Sequence, residues 1–335
     1  MSKTSTELVR YALYGPTMGS RWSALFFTES GFDSVPVKAT LQAAVDEVDA
    51  QMSTWNPNSD LMRLNEAPVG NWVSLPALLL EVLDLGLEIG RASGGAFDIG
   101  MGDAVTAWGF GSGVADPARI RKAMAADRRP AHDLLVLDVP GGCARKLAPL
   151  SIDLNGIAKG YGVDRLAETL GVSGIGSALI GIDGEMRAIG LRPDGEPWAI
   201  AVEAPDCDRR APHSILALEN AAVATSGDYR HWVEVQGRRL SHTMNPHRGM
   251  PVTEAPASVT VVAKTCAEAD AWATALMVLG PDSGAVYALR LGIDALFLVR
   301  DDEGGISAHP VGRLFSRERA ADAAGYGAAI DRYQG

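Results

Sequence analysis

The chain has 335 residues, of which 47% are hydrophobic and 21% charged, a composition typical of a folded globular protein. Its net charge of −11 argues against a broad nucleic-acid-binding surface, because such surfaces concentrate Lys and Arg on one face. An anionic ligand must therefore be bound locally or through a cation. The cysteines Cys143, Cys207 and Cys266 lie far apart without C-x-x-C spacing, so neither a zinc site nor a disulfide framework is indicated.

The amino terminus shows no export signal. Residues 1–10 lack the apolar core of a signal peptide, and no lipobox cysteine follows them. No run of 18 apolar residues occurs, so no membrane-spanning helix is predicted. We expect a cytoplasmic protein, or a periplasmic one if a leader has been removed.

The first third of the chain predicts two strands and two helices. Residues 10–27 are β-prone around a turn predicted at Gly15-Pro16 and Gly19. Apolar residues recur at helical spacing in 36–52 and again in 75–92, so both segments predict amphipathic helices. Residues 93–113 are rich in glycine and aromatic residues, which is typical of a segment that wraps a ligand or another part of the protein.

The rest of the chain predicts mostly strands. Residues 115–150 are weakly patterned, a helix begins near Gly156, and a second helix covers 266–280. Strands are predicted at 176–190, 197–204, 214–218, 222–225, 231–235 and 256–264. No repeat of fixed period and no break in composition divides the chain. We expect a single α+β domain with a central antiparallel or mixed sheet flanked by helices.

The common nucleotide and hydrolase motifs are incomplete. The glycines at 109, 111 and 113, and those at 174 and 176, lack the strand, helix and acidic residue that a dinucleotide-binding fold requires. Neither G-K-[S/T] nor G-x-S-x-G occurs, so a P-loop and a nucleophile elbow are not predicted.

One predicted helix carries two oxygen ligands on one face. Thr265 and Glu268 have the spacing of a capping box, which predicts a helix start near Cys266. Asp270 and Thr274 are then i and i+4, and both can point at one hard cation such as Mg²⁺. The alternative is a solvated aspartate in the first turn, which the helix dipole favours.

Two further segments offer polar groups. Gly156 opens a helix whose small residues let the backbone approach a phosphate or an ion, and Lys159 is either a phosphate partner or an exposed helix lysine. His242 follows Ser241 and precedes an Asn-Pro turn, so it is either a general base or a hydrogen-bonded structural histidine. His247 lies in a polar turn and is expected at the surface.

In this order, the segments resemble the FAD:protein FMN transferases of the ApbE family. The resemblance covers nearly the whole chain, over residues 10–332, and leaves 1–9 as a tail. The matching blocks are Thr17-Met18-Gly19, Ser53-Thr54-Trp55, Gly95-Ala96-Phe97-Asp98, Trp108-Gly109-Phe110 and the segments around Asp153, Thr225 and Asp270. The family's fold, which is related to the T-fold, agrees with the α+β expectation above.

The resemblance implies functional residues at matching positions. The residues implied to line the FAD site are Met18, Trp55, Ala96, Phe97, Asp98, Asn155, Tyr161 and Met244. Those implied to coordinate Mg²⁺ are Asp270 and Thr274 by side chain, and Ala158 and Ala273 by main-chain carbonyl. His242 occupies the position implied to activate the incoming hydroxyl, so His242 and Asp270 are the expected catalytic residues.

The implied reaction is a Mg²⁺-dependent transfer of FMN from FAD to a Thr or Ser hydroxyl of an acceptor protein, with release of AMP. An FAD pyrophosphatase that releases FMN and AMP is one alternative, and an FAD-binding protein without turnover is another. The chain departs from the family pattern in three places. Trp55 replaces the usual Tyr, Asp183-Gly184 replaces Gly-Gly, and Asn245 replaces the Asp of the His-x-x-Asp-Pro run.

Overall fold

In the computed structural model, the described residues are 8–111, 113–206, 211–229, 232–235, 238–253, 256–301 and 305–315. Their helices are α1 (Ser34–Met52), α2 (Asp60–Glu66), α3 (Ala77–Ala92), α4 (Gly102–Ala107), α5 (Pro117–Ala125), α6 (Ala131–Leu134), α7 (Ala158–Val172) and α8 (Cys266–Leu291). A 3₁₀ turn at Ile99–Met101 precedes α4, and α8 is broken at Gly280, just before Pro281.

The strands of the first half are β1 (Leu8–Thr17), β2 (Ser20–Glu29), β3 (Trp72–Ser74), β4 (Leu135–Asp138), β5 (Cys143–Lys146), β6 (Ala178–Ile182), β7 (Glu185–Ile189) and β8 (Trp198–Glu203). Those that follow are β9 (Pro212–Leu218), β10 (Ala222–Gly227), β11 (Trp232–Val235), β12 (Arg238–Ser241), β13 (Met244–Asn245), β14 (Met250–Pro251), β15 (Ser258–Ala263), β16 (Asp294–Arg300) and β17 (Ile306–Val311). No helix of the described ranges is long and apolar enough to cross a membrane.

Eight strands form one antiparallel sheet in the order β1-β2-β6-β7-β10-β15-β16-β17. Helices α1, α7 and α8 cover one face, where the buried side chains of Trp22, Val163 and Leu276 belong to its apolar clusters. The hairpin of β8 and β9 covers the other face, and Trp198 is buried there against Val262 and its neighbours. This arrangement confirms the expected α+β fold with a central antiparallel sheet and flanking helices.

Two sequence-based boundaries are wrong. Gly15 and Pro16 lie inside β1, and the turn is formed by Met18 and Gly19, whose φ angles are 45° and 70°. A proline is tolerated there because β1 is an edge strand, where one unpaired backbone position faces no further strand. The strand predicted at 176–190 is a hairpin of β6 and β7, which turns at Asp183 and Gly184. The domain limits at 10 and 332 stay predictions, since 316–335 lie outside the described residues.

Candidate active site

A cavity of about 670 Å³ opens between the hairpin of β6 and β7, the carboxyl end of β10, the first turns of α7 and α8, and the loops around residues 97 and 244. It brings together nine of the residues singled out from the sequence, which come from segments as far apart as Trp55 and Thr274. They are Trp55, Ala96, Phe97, Asp98, Asn155, His242, Met244, Asp270 and Thr274. Their roles in binding and catalysis stay predictions.

Four of the sequence-predicted residues do not line the cavity. Met18 packs against the apolar cluster between the helices, and Tyr161 donates a hydrogen bond from its hydroxyl to Glu81 Oε2 over 2.7 Å. The side chains of Ala158 and Ala273 also pack in apolar clusters, with Ala273 fully buried. Since the role implied for both alanines runs through the main-chain carbonyl, the packing of their methyl groups does not conflict with it.

Asp270 lies at the floor of the cavity and is 6% exposed. The capping box predicted from Thr265 and Glu268 is present and starts α8, which places Asp270 in its second turn. The Gly160 amide donates to Asp270 Oδ2 over 3.1 Å. A Cβ at Gly160 would lie 2.3 Å from the carbonyl oxygen of Cys266, so glycine is needed for α7 and α8 to approach this closely.

Thr274 lies one turn further along the same face of α8 and also faces the cavity. Its hydroxyl is 3.2 Å from Ser226 Oγ at the end of β10. A Cβ at Gly156 would lie 3.2 Å from Thr274 Oγ1, so the backbone that leads into α7 passes close to this hydroxyl. The carboxylate, the hydroxyl and an open stretch of backbone therefore meet at one end of the cavity.

The cavity is strongly acidic. Its described lining includes six carboxyl groups and one lysine, Lys159. The carboxyl residues are Asp98, Asp153, Asp183, Glu185, Glu203 and Asp270. Burial lowers the pKa of Lys159, but the charges of Glu185, Asp183 and Asp270 outweigh this effect and raise it, so the ammonium group is charged. One lysine does not balance six carboxyl groups.

Burial raises the pKa of four of these carboxyl groups, which are Asp98, Asp153, Glu185 and Asp270. Loss of solvent raises the pKa of Asp270 to about 6. It also raises the pKa of Asp153 to about 6, although the Asp153 side chain is only half-buried. Burial and the nearby charge of Asp270 raise the pKa of Glu185 to about 8. Glu185 Oε2 is buried and has no hydrogen-bond partner among the described residues. A buried carboxyl oxygen of this kind, beside a second desolvated carboxyl group, has the chemistry that a cation would suit.

Two residues of this region were not assigned a role from the sequence. Glu185 follows the two-residue turn of the β6–β7 hairpin. Its position in the cavity could have been predicted only by recognising that turn in the sequence. Asp164 accepts hydrogen bonds from the amides of Cys266 and Ala267, both over 2.9 Å, and pairs with Arg187 over 2.5 Å. Asp164 thus fixes the start of α8 and with it the position of Asp270.

Replacing Asp164 by Ala is expected to lower the free energy of unfolding by about 3 kcal/mol, because Arg187 and two amides of α8 lose a buried partner. Urea denaturation measures the effect. Glu168→Ala is the matched control, since Glu168 lies on the same helix and pairs with Arg165 at the surface. A loss in Asp164→Ala no larger than in the control would contradict the assigned role.

Apo-protein stability is expected to fall as pH rises from about 4 to about 8. In this window the folded state binds more protons than the unfolded state, because the pKa values of Asp153, Glu185 and Asp270 are raised on folding. A Mg²⁺ ion held by the ionised carboxylates would raise the melting temperature by several degrees at pH 8 and by little at pH 5.

Thermal melts in EDTA and in Mg²⁺, for wild type and Glu185→Gln, measure this pH dependence. The variant should lose less stability than wild type between pH 5 and pH 8, since it lacks one of the carboxyl groups whose pKa is raised on folding. Parallel pH profiles for the two proteins would show that Glu185 does not titrate as stated.

Comparison with known proteins places the chain in a family. The model of the ApbE family matches residues 18–297. An FAD:protein FMN transferase of Vibrio cholerae serotype O1 is 35% identical over 294 residues, which cover 87% of this chain and 88% of that protein. One of Escherichia coli strain K12 is 31% identical over 297 residues, covering 87% and 84%.

Solved structures of flavin transferases support the same family. The flavin transferase ApbE from Vibrio cholerae superposes with a TM-score of 0.80 at 33% identity, covering 91% of this chain and 98% of that one. The apo form of the flavinyl transferase ApbE from Pseudomonas stutzeri gives 0.81 at 36% identity, covering 92% and 97%. With a family match over most of its length, relatives above 30% identity and the same fold, this chain belongs to the ApbE family.

Proposed function

We propose that the chain transfers the FMN half of FAD to a Thr or Ser hydroxyl of an acceptor protein in a Mg²⁺-dependent reaction that releases AMP. FAD:protein FMN transferase activity follows from its family; the hydroxyl acceptor and the metal are the finer parts of the proposal. The observation that carries it is the convergence of Asp270, Thr274 and His242 on one cavity. At about 670 Å³, that cavity has the size of a cofactor site.

The donor set fits Mg²⁺. Asp270 and Thr274 would hold it by side-chain oxygens, and Ala158 and Ala273 by main-chain carbonyls. Mg²⁺ prefers such oxygen ligands and keeps its other positions for water and phosphate. An acidic cavity with a single lysine would repel the diphosphate of FAD without a cation. When bound, Mg²⁺ neutralises the diphosphate and the charge that develops on the AMP leaving group.

His242 is the proposed general base. It is half-buried in the cavity lining, on the loop that joins β12 to β13. The acceptor hydroxyl oxygen forms a bond to the FMN-side phosphorus, and the bond from that phosphorus to the bridging oxygen breaks. The hydroxyl proton passes to His242, and AMP leaves with the electron pair of the broken bond.

Aromatic and apolar residues give the flavin or the adenine a surface. Trp55 is 61% exposed at the cavity rim, which is unusual for so large an aromatic side chain. Phe97 and Met244 line the cavity and are largely buried. A flat ring that enters the cavity can therefore stack on Trp55 and contact Phe97 or Met244.

Mass spectrometry tests the proposal. Purified protein, FAD and Mg²⁺ are incubated with a peptide library that has a central Thr or Ser between randomised positions. We expect peptides that carry FMN in phosphoester linkage, together with an equal amount of AMP. Release of FMN and AMP at the same rate with and without peptides, and no labelled peptide, would instead identify a hydrolase.

A further inference from the structure

The turn between β6 and β7 consists of Asp183 and Gly184, with φ angles of 56° and 131°. Ile182 pairs with Glu185 on either side, so the loop has two residues. Two-residue hairpins with positive φ at both positions favour Asp-Gly, Asn-Gly and Gly-Gly. The backbone therefore explains why the residue at 183 is small and polar, but it does not require a negative charge.

The negative charge of Asp183 is paired with Lys159, the one lysine of the described cavity lining. Lys159 Nζ is 2.6 Å from Asp183 Oδ2, and the two side chains are 26% and 27% exposed. Both residues line the cavity, in an area that already contains Glu185 and Asp270. The carboxylate of Asp183 therefore pairs with the ammonium group of Lys159, which a phosphate oxygen in the cavity would otherwise contact.

We propose that Asp183 is a specificity-determining residue that competes with the diphosphate of FAD for Lys159 and so weakens the binding of FAD. This inference rests on the proposed function, because it takes FAD as the ligand. A diphosphate that reaches Lys159 has to displace the carboxylate, and it also approaches one more negative charge in an acidic cavity. Asp183 acts on FAD through its ion pair with Lys159.

Asp183→Asn removes the negative charge and keeps the turn, because Asn-Gly suits the same hairpin. The dissociation constant for FAD in Mg²⁺ should fall about 3- to 10-fold, as expected for loss of one partly exposed competing charge. Binding of riboflavin, which lacks a diphosphate, should not change. In turnover, KM for FAD should fall while kcat does not rise, because substrate and transition state gain the same contact.

Asp194→Asn is the matched control. Asp194 also precedes a glycine of positive φ, and its carboxylate also pairs with a basic side chain, Arg192. It does not line the cavity, and its replacement changes the net charge by the same amount. FAD binding by Asp194→Asn should equal that of wild type.

Fluorescence titrations of FAD and riboflavin, with melting temperatures for each protein, complete the test. Unchanged or weaker FAD binding by Asp183→Asn overturns the inference, as does an equal gain for riboflavin. In a Lys159→Met background, Asp183→Asn should lose most of its effect, and a full effect there would also contradict the competition. Wild-type protein that binds FAD but shows no labelled peptide defeats the proposed function alone.

Discussion

Replacing Asp270 by Ala is expected to lower the rate of FMN transfer by about 10³-fold or more. Asp270 shares a helix face with Thr274 at the cavity floor, and its loss removes the only charged side chain among the four proposed Mg²⁺ ligands. The rate of AMP release from FAD in excess Mg²⁺ measures the loss. A Mg²⁺ titration of the melting temperature at pH 8 measures metal binding without turnover.

Two variants separate the charge of Asp270 from its structural contact. Asp270→Asn keeps an oxygen that can accept the hydrogen bond from the Gly160 amide, so it should fold like wild type and still lose turnover and the Mg²⁺-dependent melting shift. Asp282→Asn removes a charge from an exposed position of the same helix and should behave like wild type. An Asp270→Asn protein with full turnover and a normal Mg²⁺ shift would rule out Asp270 as a ligand.

The acidity of the whole chain bears on the same point. A net charge of −11 predicts that a polyanionic ligand is bound locally or through a cation. The cavity itself is also unfavourable for a polyanion, since six of its described lining residues are carboxylic acids. A protein can retain so many carboxylates beside a diphosphate if cations pair with them, and Glu185 Oε2, which has no hydrogen-bond partner among the described residues, is one oxygen that such a cation would pair with.

The sequence predicted the elements whose pattern is local. The capping box at Thr265 sets the start of α8, and apolar spacing gives α1 and α3 within a few residues. It did not predict β16, because residues 294–300 form a short, almost continuous apolar run. Periodicity alone does not distinguish such a buried strand from a buried helix segment. Helix α2 was also missed, as it is only seven residues long.

The site was predictable where a residue acts with its sequence neighbours. Asp270 and Thr274 share a helix face by spacing alone. Asp164 could not be assigned in this way, because the amides it caps lie 102 and 103 positions further along the chain. Glu185 was missed because its role depends on a turn that reverses the chain at Asp183. Long-range contacts of this kind require the folded sheet, and no local pattern encodes them.

Replacing His242 by Ala is expected to lower FMN transfer to a hydroxyl by about 10²- to 10⁴-fold, the usual contribution of a general base. The dissociation constant for FAD should stay within about 3-fold of wild type. The Mg²⁺-dependent melting shift should also be kept, because the expected Mg²⁺ ligands are on α7 and α8. Single-turnover labelling of the peptide library, with FAD and Mg²⁺ at saturation, isolates the chemical step from binding.

His247→Ala is the control for this experiment, since His247 lies five residues away in an exposed turn outside the cavity lining. Adding imidazole to His242→Gly should restore part of the transfer rate if the missing group is a base, because a free imidazole can enter the space and take the proton. No rescue, together with equal losses of binding and turnover, would mean that His242 shapes the cavity and takes no proton. Rescue of transfer without a change in FAD affinity would assign the proton to His242 Nδ1 or Nε2, leaving Asp270 and Thr274 to the metal ion.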